Sequence, residues 1–145
     1  MSLQKKPNIP ADHRLFRASA DRPLALLEQC PVYVPTPLID HPGIAGELGV
    51  SKLFLKDESR RMRLGSFKAL GGAFAVAQMI CDAAGTNDLT SEAARSVAAG
   101  MTFTTASAGN HGLSVAAGAR IFGAKAVVYL SSLVPKGFGE RIRAL

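Results

Sequence analysis

A lysine among small residues and a later asparagine–histidine loop are the parts of this sequence whose residue types suit covalent chemistry. Lys68 lies in the segment Leu-Gly-Ser-Phe-Lys-Ala-Leu-Gly-Gly, and the loop Ser-Ala-Gly-Asn-His-Gly occupies residues 107–112. A lysine amine forms an imine when it is unprotonated in a partly desolvated site. Phe67 and Ala69 predict such surroundings, and the glycine pair leaves room for a bulky group. Together the motifs indicate a Schiff base with an aldehyde cofactor, pyridoxal 5'-phosphate.

The second motif predicts an anion site at the start of a helix. An apolar run over residues 101–105 precedes the loop and an alanine-rich run over residues 113–121 follows it, which is typical of strand, loop and helix. The loop's backbone N–H groups and the helix dipole are suited to a substrate carboxylate. Asn110 could hydrogen-bond the ring oxygen of pyridoxal, whereas His111 fits loop packing or carboxylate contact better than base catalysis, because Lys68 already offers a base.

Each motif taken alone also has an ordinary structural explanation. Lys68 could be a solvated lysine on an amphipathic helix, and Asn110 could be a turn or helix-capping residue. Ser107 and Thr105 could donate hydrogen bonds to a carboxylate, but no neighbouring His–Asp pair would activate either hydroxyl as a nucleophile. The combination of the two motifs is what favours chemistry.

Taken together, these segments resemble the family of pyridoxal-phosphate enzymes that includes threonine and serine dehydratases, threonine synthase, tryptophan synthase beta chains and diaminopropionate ammonia-lyases. Four segments carry the resemblance over nearly the whole chain: an opening Tyr-Val-Pro-Thr-Pro-Leu at 33–38, a first core strand at 55–59, the Schiff-base site at 66–68 and the substrate loop at 107–111. The resemblance implies an α/β fold, namely the amino-terminal portion of the family's parallel three-layer sheet.

The resemblance also assigns roles to individual residues. Lys68 would be catalytic and bind the cofactor, with Phe67 and Asn110 as further cofactor contacts. The substrate, a small amino acid, would contact the loop residues Ser107, Ala108, Gly109, Asn110 and His111. The implied reaction is α,β-elimination to a keto acid and ammonia, as in diaminopropionate ammonia-lyases, by a homodimer. Threonine or serine dehydration is the alternative within the family, and a catalytically silent fragment or regulatory binding module is the alternative outside it.

One residue departs from the diaminopropionate ammonia-lyase pattern. Those enzymes carry an acidic residue directly before Gly-Asn-His, thought to be a second base on the opposite face of the substrate, whereas this chain has Ala108, as threonine dehydratases do. With Lys68 as the single base, we expect elimination from one enantiomer only.

The composition, charge and cysteine content of the sequence limit the class of protein and the partners that we expect. The chain has 145 residues, 48% of them hydrophobic, which suits one folded domain, and no segment has the apolar length of a membrane span or a secretory signal. We therefore expect a cytoplasmic protein without membrane partners. The net charge of +6 includes a run at Arg60, Arg61 and Arg63 that predicts an exposed or intersubunit loop rather than a nucleic-acid site. Cys30 and Cys81 predict buried structural thiols and no metal.

The order of motifs predicts two regions. Residues 1–31 form an amino-terminal arm with a short helix over 24–30, and residues 32–145 form a partial catalytic domain. Within that domain the pattern predicts helices at 43–48, 66–83, 90–98, 113–121 and 138–145, and strands at 52–56, 101–105 and 126–130, the last one buried and parallel. The family's phosphate cup lies further along its chains, so we expect an amino-terminal fragment, truncated at the carboxyl end and inactive alone.

Overall fold

The computed structural model describes residues 19–145. Along this part of the chain the helices are α1 Asp21–Leu27, α2 Pro42–Glu47, α3 Lys68–Ala84, α4 Glu92–Gly100, α5 Asn110–Phe122 and α6 Lys136–Arg143. The strands are β1 Leu38–Asp40, β2 Phe54–Lys56, β3 Thr102–Ala106 and β4 Lys125–Tyr129, and a 3-10 turn spans Arg61–Arg63. The predicted arm lies outside the described residues up to position 18.

The core is built on two parallel helices, α3 and α5, that approach closely through small residues. A Cβ atom on Gly72 would lie 1.7 Å from Ser114 Oγ, and one on Gly118 would lie 3.3 Å from Ala73 Cα. Gly72, nearer the start of α3, meets Ser114, which is also nearer the start of α5 than Gly118. The two helices therefore run in the same direction. Their amino-terminal ends therefore lie side by side.

Replacing Gly72 by alanine is expected to destabilise the fold, because the new methyl group would overlap the buried Ser114 hydroxyl. Overpacking of this kind costs about 1–3 kcal/mol. Gly71 is the matched control, since a Cβ there meets nothing within 4 Å and alanine is a better helix former than glycine by about 1 kcal/mol. Urea unfolding should show Gly72→Ala below and Gly71→Ala at or above the parent; equal stabilities would contradict the packing.

The parallel pair β3–β4 forms a β-α-β unit with α5, from the strands predicted at 101–105 and 126–130 and the helix predicted between them. Thr102 pairs with Lys125 and the register continues to Ala106 with Tyr129. Helix α5 covers one face, where Phe103 is buried. The prediction that the second strand is buried is wrong for the described residues, because their helices leave the other face open and Tyr129 on it is 63% exposed.

A second pair, β1 and β2, precedes α3. These strands are antiparallel, with Leu38 opposite Lys56 and Asp40 opposite Phe54, and both are exposed. The sequence pattern predicts the second strand, longer by two residues, but indicates only an extended entry for residues 35–42. The strand at residues 38–40 was not predicted because the segment is rich in proline, which normally disfavours a strand interior.

Three helix ends coincide with local capping signals in the sequence. Gly85 adopts a left-handed φ of 63° and ends α3, and Gly123 does the same for α5 at 79°. Ser91 caps α4 by accepting a hydrogen bond from Ala94 N at 3.2 Å. Helix α1 lies earlier than predicted but packs Leu26 and Leu27 into the core. Helix α6 ends at Arg143, two residues before the predicted end.

Cys30 and Cys81 are both buried, as predicted, and burial raises the pKa of the Cys81 thiol, which favours an inert side chain. Within residues 19–145, no helix combines the length and the apolar character needed to cross a membrane.

Candidate active site

Lys68 is the first residue of α3, and its side chain is exposed. The buried Ser66 holds the start of this helix, because its Oγ accepts a hydrogen bond from Lys68 N at 3.3 Å. Ala69, the next residue, is buried against the core. Phe67 was expected to enclose the lysine, but it is 64% exposed, since Ala69 rather than Phe67 lies on the packed face of α3.

The loop at 107–109 is organised by its own serine. Ser107 Oγ accepts hydrogen bonds from Gly112 N at 2.9 Å and Gly109 N at 3.3 Å, and Ser107 N donates to Tyr129 O at 3.1 Å. Gly112 lies tightly on β4, because a Cβ there would come within 2.9 Å of Val128 Cγ1. In this structure Ser107 therefore shapes the loop, and its predicted contact with substrate stays a prediction.

The loop leaves other backbone donors available. Among the described residues no hydrogen-bond partner is found for the backbone N–H groups of Ala108, Asn110 and His111, and Gly109 at the N-cap of α5 supplies no side-chain cap. The first N–H groups of a helix have no intrahelical acceptor and carry the positive end of the dipole. This cluster of donors is suited to a carboxylate.

The structure brings the lysine motif and the asparagine loop to the same end of the helix pair. Ser114 Oγ, one turn into α5, donates a hydrogen bond of 3.3 Å to the carbonyl of Ala69, one residue after Lys68. Since α3 and α5 run in parallel, Lys68 and Asn110 each begin one of two neighbouring helices. An exposed amine beside free backbone donors and the glycine at position 71 fits a cofactor that carries both an aldehyde and anionic groups.

An ion pair between the buried Arg61 and the partly buried Glu58 lies before Lys68, and Arg61 belongs to the run that was expected to be an exposed or intersubunit loop. That expectation is wrong for Arg61, whose side chain is only 4% exposed. Its Nε and Nη2 donate to the two carboxylate oxygens of Glu58 at 2.6 and 2.8 Å. Two chemically opposite residues three positions apart were visible in the sequence, but a spacing of three does not distinguish a buried pair from a solvated one.

Glu58 is held in its ionised form by this pair. Hydrogen bonds from the Arg61 guanidinium lower the pKa of Glu58 from 4.5 to about 2, against the opposing effect of burial, and Thr36 Oγ1 adds a hydrogen bond of 2.6 Å. The same pairing raises the pKa of Arg61. Both groups therefore remain charged throughout the neutral range.

Acid is expected to weaken the fold through Glu58. A carboxyl whose pKa is lowered on folding stabilises the folded state above its unfolded value, here near 4.5, and this contribution is lost as the pH falls towards 2. The shift corresponds to at most about 3 kcal/mol. Urea midpoints measured from pH 7 to pH 2 should fall less steeply in Glu58→Gln than in the parent; parallel curves would contradict the assignment.

The comparisons with known proteins agree with this geometry. Residues 30–145 match the family described as pyridoxal-phosphate dependent enzymes. The chain belongs to this family, whose cofactor is pyridoxal 5'-phosphate.

The chain also resembles individual proteins, each of them longer than itself. The chain is 40% identical over 117 residues to diaminopropionate ammonia-lyase of Escherichia coli K12, covering 78% of this chain and 28% of the relative. It is 36% identical over 103 residues to a probable D-serine dehydratase of Rhizobium etli, covering 64% of this chain and 23% of the relative. The chain thus spans about a quarter of the length of these curated relatives.

Solved structures confirm the fold class predicted from the sequence. Escherichia coli diaminopropionate ammonia-lyase, in complex with an aminoacrylate-PLP azomethine reaction intermediate, superposes with a TM-score of 0.76 at 35% identity, over 86% of this chain and 32% of that one. Threonine deaminase isoform 2 of Solanum lycopersicum, in its processed form, gives a TM-score of 0.57 at 25% identity, over 88% of this chain and 32% of that one.

Proposed function

We propose that the intact protein is a pyridoxal-phosphate-dependent lyase that eliminates the β-substituent of an amino acid, as a diaminopropionate ammonia-lyase does. The observation that carries the proposal is the placement of Lys68 and the Asn110 loop at the adjoining ends of α3 and α5. The likeness to diaminopropionate ammonia-lyases over 78% of this chain supports the choice of substrate.

Lys68 has two tasks in this proposal. Its Nζ would hold the cofactor covalently and, when freed by the substrate amine, would take the proton from the substrate's α-carbon. When bound, the pyridine ring of the cofactor withdraws electrons from that carbon and so stabilises the negative charge that proton removal leaves there. The exposed position of Lys68 at a helix start leaves its amine free to reach both atoms.

The loop before α5 orients the substrate. The N–H groups of Ala108, Asn110 and His111 would bind the substrate carboxylate, with Gly109 in the N-cap and Ser107 Oγ holding the loop shape. The Asn110 side chain would donate to the cofactor's ring oxygen. Loss of the β-amine yields ammonia and an enamine, and hydrolysis of the enamine yields the keto acid and a second ammonia. Phe67, exposed beside Lys68, is the remaining cofactor contact.

A serine or threonine dehydratase is the second candidate, and one residue favours it. Ala108 replaces the acidic residue that is part of the diaminopropionate ammonia-lyase pattern, and the chain is also similar to a probable D-serine dehydratase. The same residues would then act on a β-hydroxyl in place of a β-amine.

Product formation by the purified intact protein tests the proposal. With pyridoxal phosphate present, 2,3-diaminopropionate should yield keto acid and ammonia with a kcat/KM at least about tenfold above those of serine and threonine, because the leaving group sets the contacts made in the transition state. A reversed order would identify a dehydratase. Cofactor binding without product from any of the three would identify a silent binding module and overturn the proposal.

The domain boundary, assembly and location also belong to this proposal. Residues 1–31 would be an arm and residues 32–145 part of the catalytic domain, in a cytoplasmic homodimer whose partner molecule is a small amino acid. Helix α1 supports an arm that packs on the catalytic domain, because Leu27 lies in one apolar cluster with Ala69 and Ala73 of α3.

A further inference from the structure

Arg61 fastens the loop that leads to Lys68 onto the chain's opening segment. In addition to the two Glu58 contacts, Nη2 donates to Thr36 Oγ1 at 2.6 Å and Nη1 donates to the carbonyl of Val34 at 2.9 Å. The guanidinium carbon lies 5.7 Å from the ring centroid of Tyr33. A planar guanidinium has the fork of donors that this arrangement uses, and a lysine ammonium does not.

The backbone directly after Arg61 adopts conformations that cost energy. Met62 and Arg63 have φ angles of 47° and 59°, and Gly65 has 70°. Left-handed backbone costs roughly 1–2 kcal/mol for each residue other than glycine, so it persists only where the surroundings hold it. The structure holds the turn from two sides, through the Arg61 fork and through the buried Met62 side chain.

Met62 links this turn to the helix that carries the lysine. It lies in the apolar cluster formed by Leu27, Cys30, Met62, Ala69 and Ala73. Leu64 N and Gly65 N both donate back to the carbonyl of Arg61, at 2.9 and 3.2 Å. The chain therefore runs from the fixed arginine through a tight turn to Ser66, whose hydroxyl holds Lys68 N.

We propose that Arg61 is a positioning residue for Lys68: its fork fixes the turn at 62–65 and thereby the place from which the lysine amine reaches substrate. The inference rests on the proposed function and goes beyond it, because the hydrogen bonds of Arg61 go to Glu58, Thr36 and Val34 rather than to a residue assigned to substrate or cofactor. A displaced amine would still bind the cofactor, but it would abstract the α-proton poorly, since a misplacement of about 1 Å can cost roughly 10²-fold in rate.

The test compares Arg61→Met with Arg60→Met, the exposed neighbouring arginine, in the intact protein with pyridoxal phosphate. In Arg61→Met we expect the pyridoxyl label at Lys68 to persist, kcat to fall roughly 10²-fold with KM changed less than about threefold, and the visible circular dichroism of the bound cofactor to weaken. Arg60→Met should match the parent in all of these measurements. Arg61→Lys should recover little, because one ammonium cannot replace the fork.

The outcomes distinguish a positioning role from a merely structural one, and failure of this inference from failure of the proposed function. A lower melting temperature in Arg61→Met with unchanged kcat and dichroism would show a merely structural residue, and full recovery in Arg61→Lys would show that charge alone suffices; either result overturns the inference. Should Arg61→Met fail to fold, Glu58→Gln removes the partner charge and must show the same kcat and dichroism losses. If the unmodified protein is labelled at Lys68 but forms no product, the proposed function is wrong. The dichroism of Arg61→Met then still tests whether Arg61 positions the lysine. A parent without label defeats both.

Discussion

Alanine at position 68 is expected to abolish turnover while leaving the fold intact. The change removes both the covalent attachment of the cofactor and the base, so kcat should fall by roughly 10⁴-fold or more. Lys68 is exposed, and exposed substitutions usually change stability by less than about 0.5 kcal/mol. Steady-state keto acid formation and a thermal melt of the intact protein measure the two effects.

Two further variants separate the chemistry of Lys68 from its charge. Lys68→Arg keeps a positive side chain that is never deprotonated in proteins, so it should be as inactive as the alanine variant. Lys52→Ala removes another exposed lysine and should retain the parent's activity. Activity in Lys68→Arg within tenfold of the parent would show that the amine neither binds the cofactor nor moves the proton.

The second large effect concerns the handedness of the substrate. Position 108 holds alanine where the diaminopropionate ammonia-lyase pattern has an acid, so Lys68 would be the single base in the proposed reaction. General-base catalysis contributes about 10²–10⁴-fold, and the two enantiomers of 2,3-diaminopropionate should therefore differ in kcat/KM by at least about 10²-fold. Separate assays with each pure enantiomer measure the ratio.

Ala108→Asp supplies the missing carboxylate and should raise kcat/KM for the slower enantiomer. Ala108→Asn is its matched control, because it has the same shape without the ionisable group and should raise neither rate. Ala108 is exposed in the loop, so the packed core gives no reason for either variant to misfold. Equal rates for the two enantiomers in the parent protein would refute the single-base account.

Local signals in the sequence predicted the elements that carry the site. The left-handed glycines at 85 and 123 and the serine cap at 91 mark helix ends through backbone geometry and hydrogen bonding that depend on neighbouring residues alone. The β3–α5–β4 unit was predicted for a similar reason, because a strand, a glycine-rich loop and an alanine-rich helix follow one another directly.

Contacts between distant segments were not predicted. The burial of Arg61 depends on Val34 and Thr36, more than twenty residues earlier, and nothing in the basic run itself indicates that partner. The exposure of Phe67 depends on which face of α3 meets α5, and the adjoining of the Lys68 and Asn110 helix starts depends on the parallel packing at Gly72 and Ser114. The resemblance to a family indicated Lys68 and Asn110 as site residues. How they lie relative to each other follows only from the fold.

The central claim, that Lys68 binds the cofactor covalently, has one direct measurement. Borohydride reduction of the intact protein loaded with pyridoxal phosphate fixes the attached group, and peptide mapping then locates it. The account predicts a single pyridoxyl label on Lys68, in the peptide that includes Ser66 and Phe67. A label on another lysine with Lys68 unmodified would contradict the account.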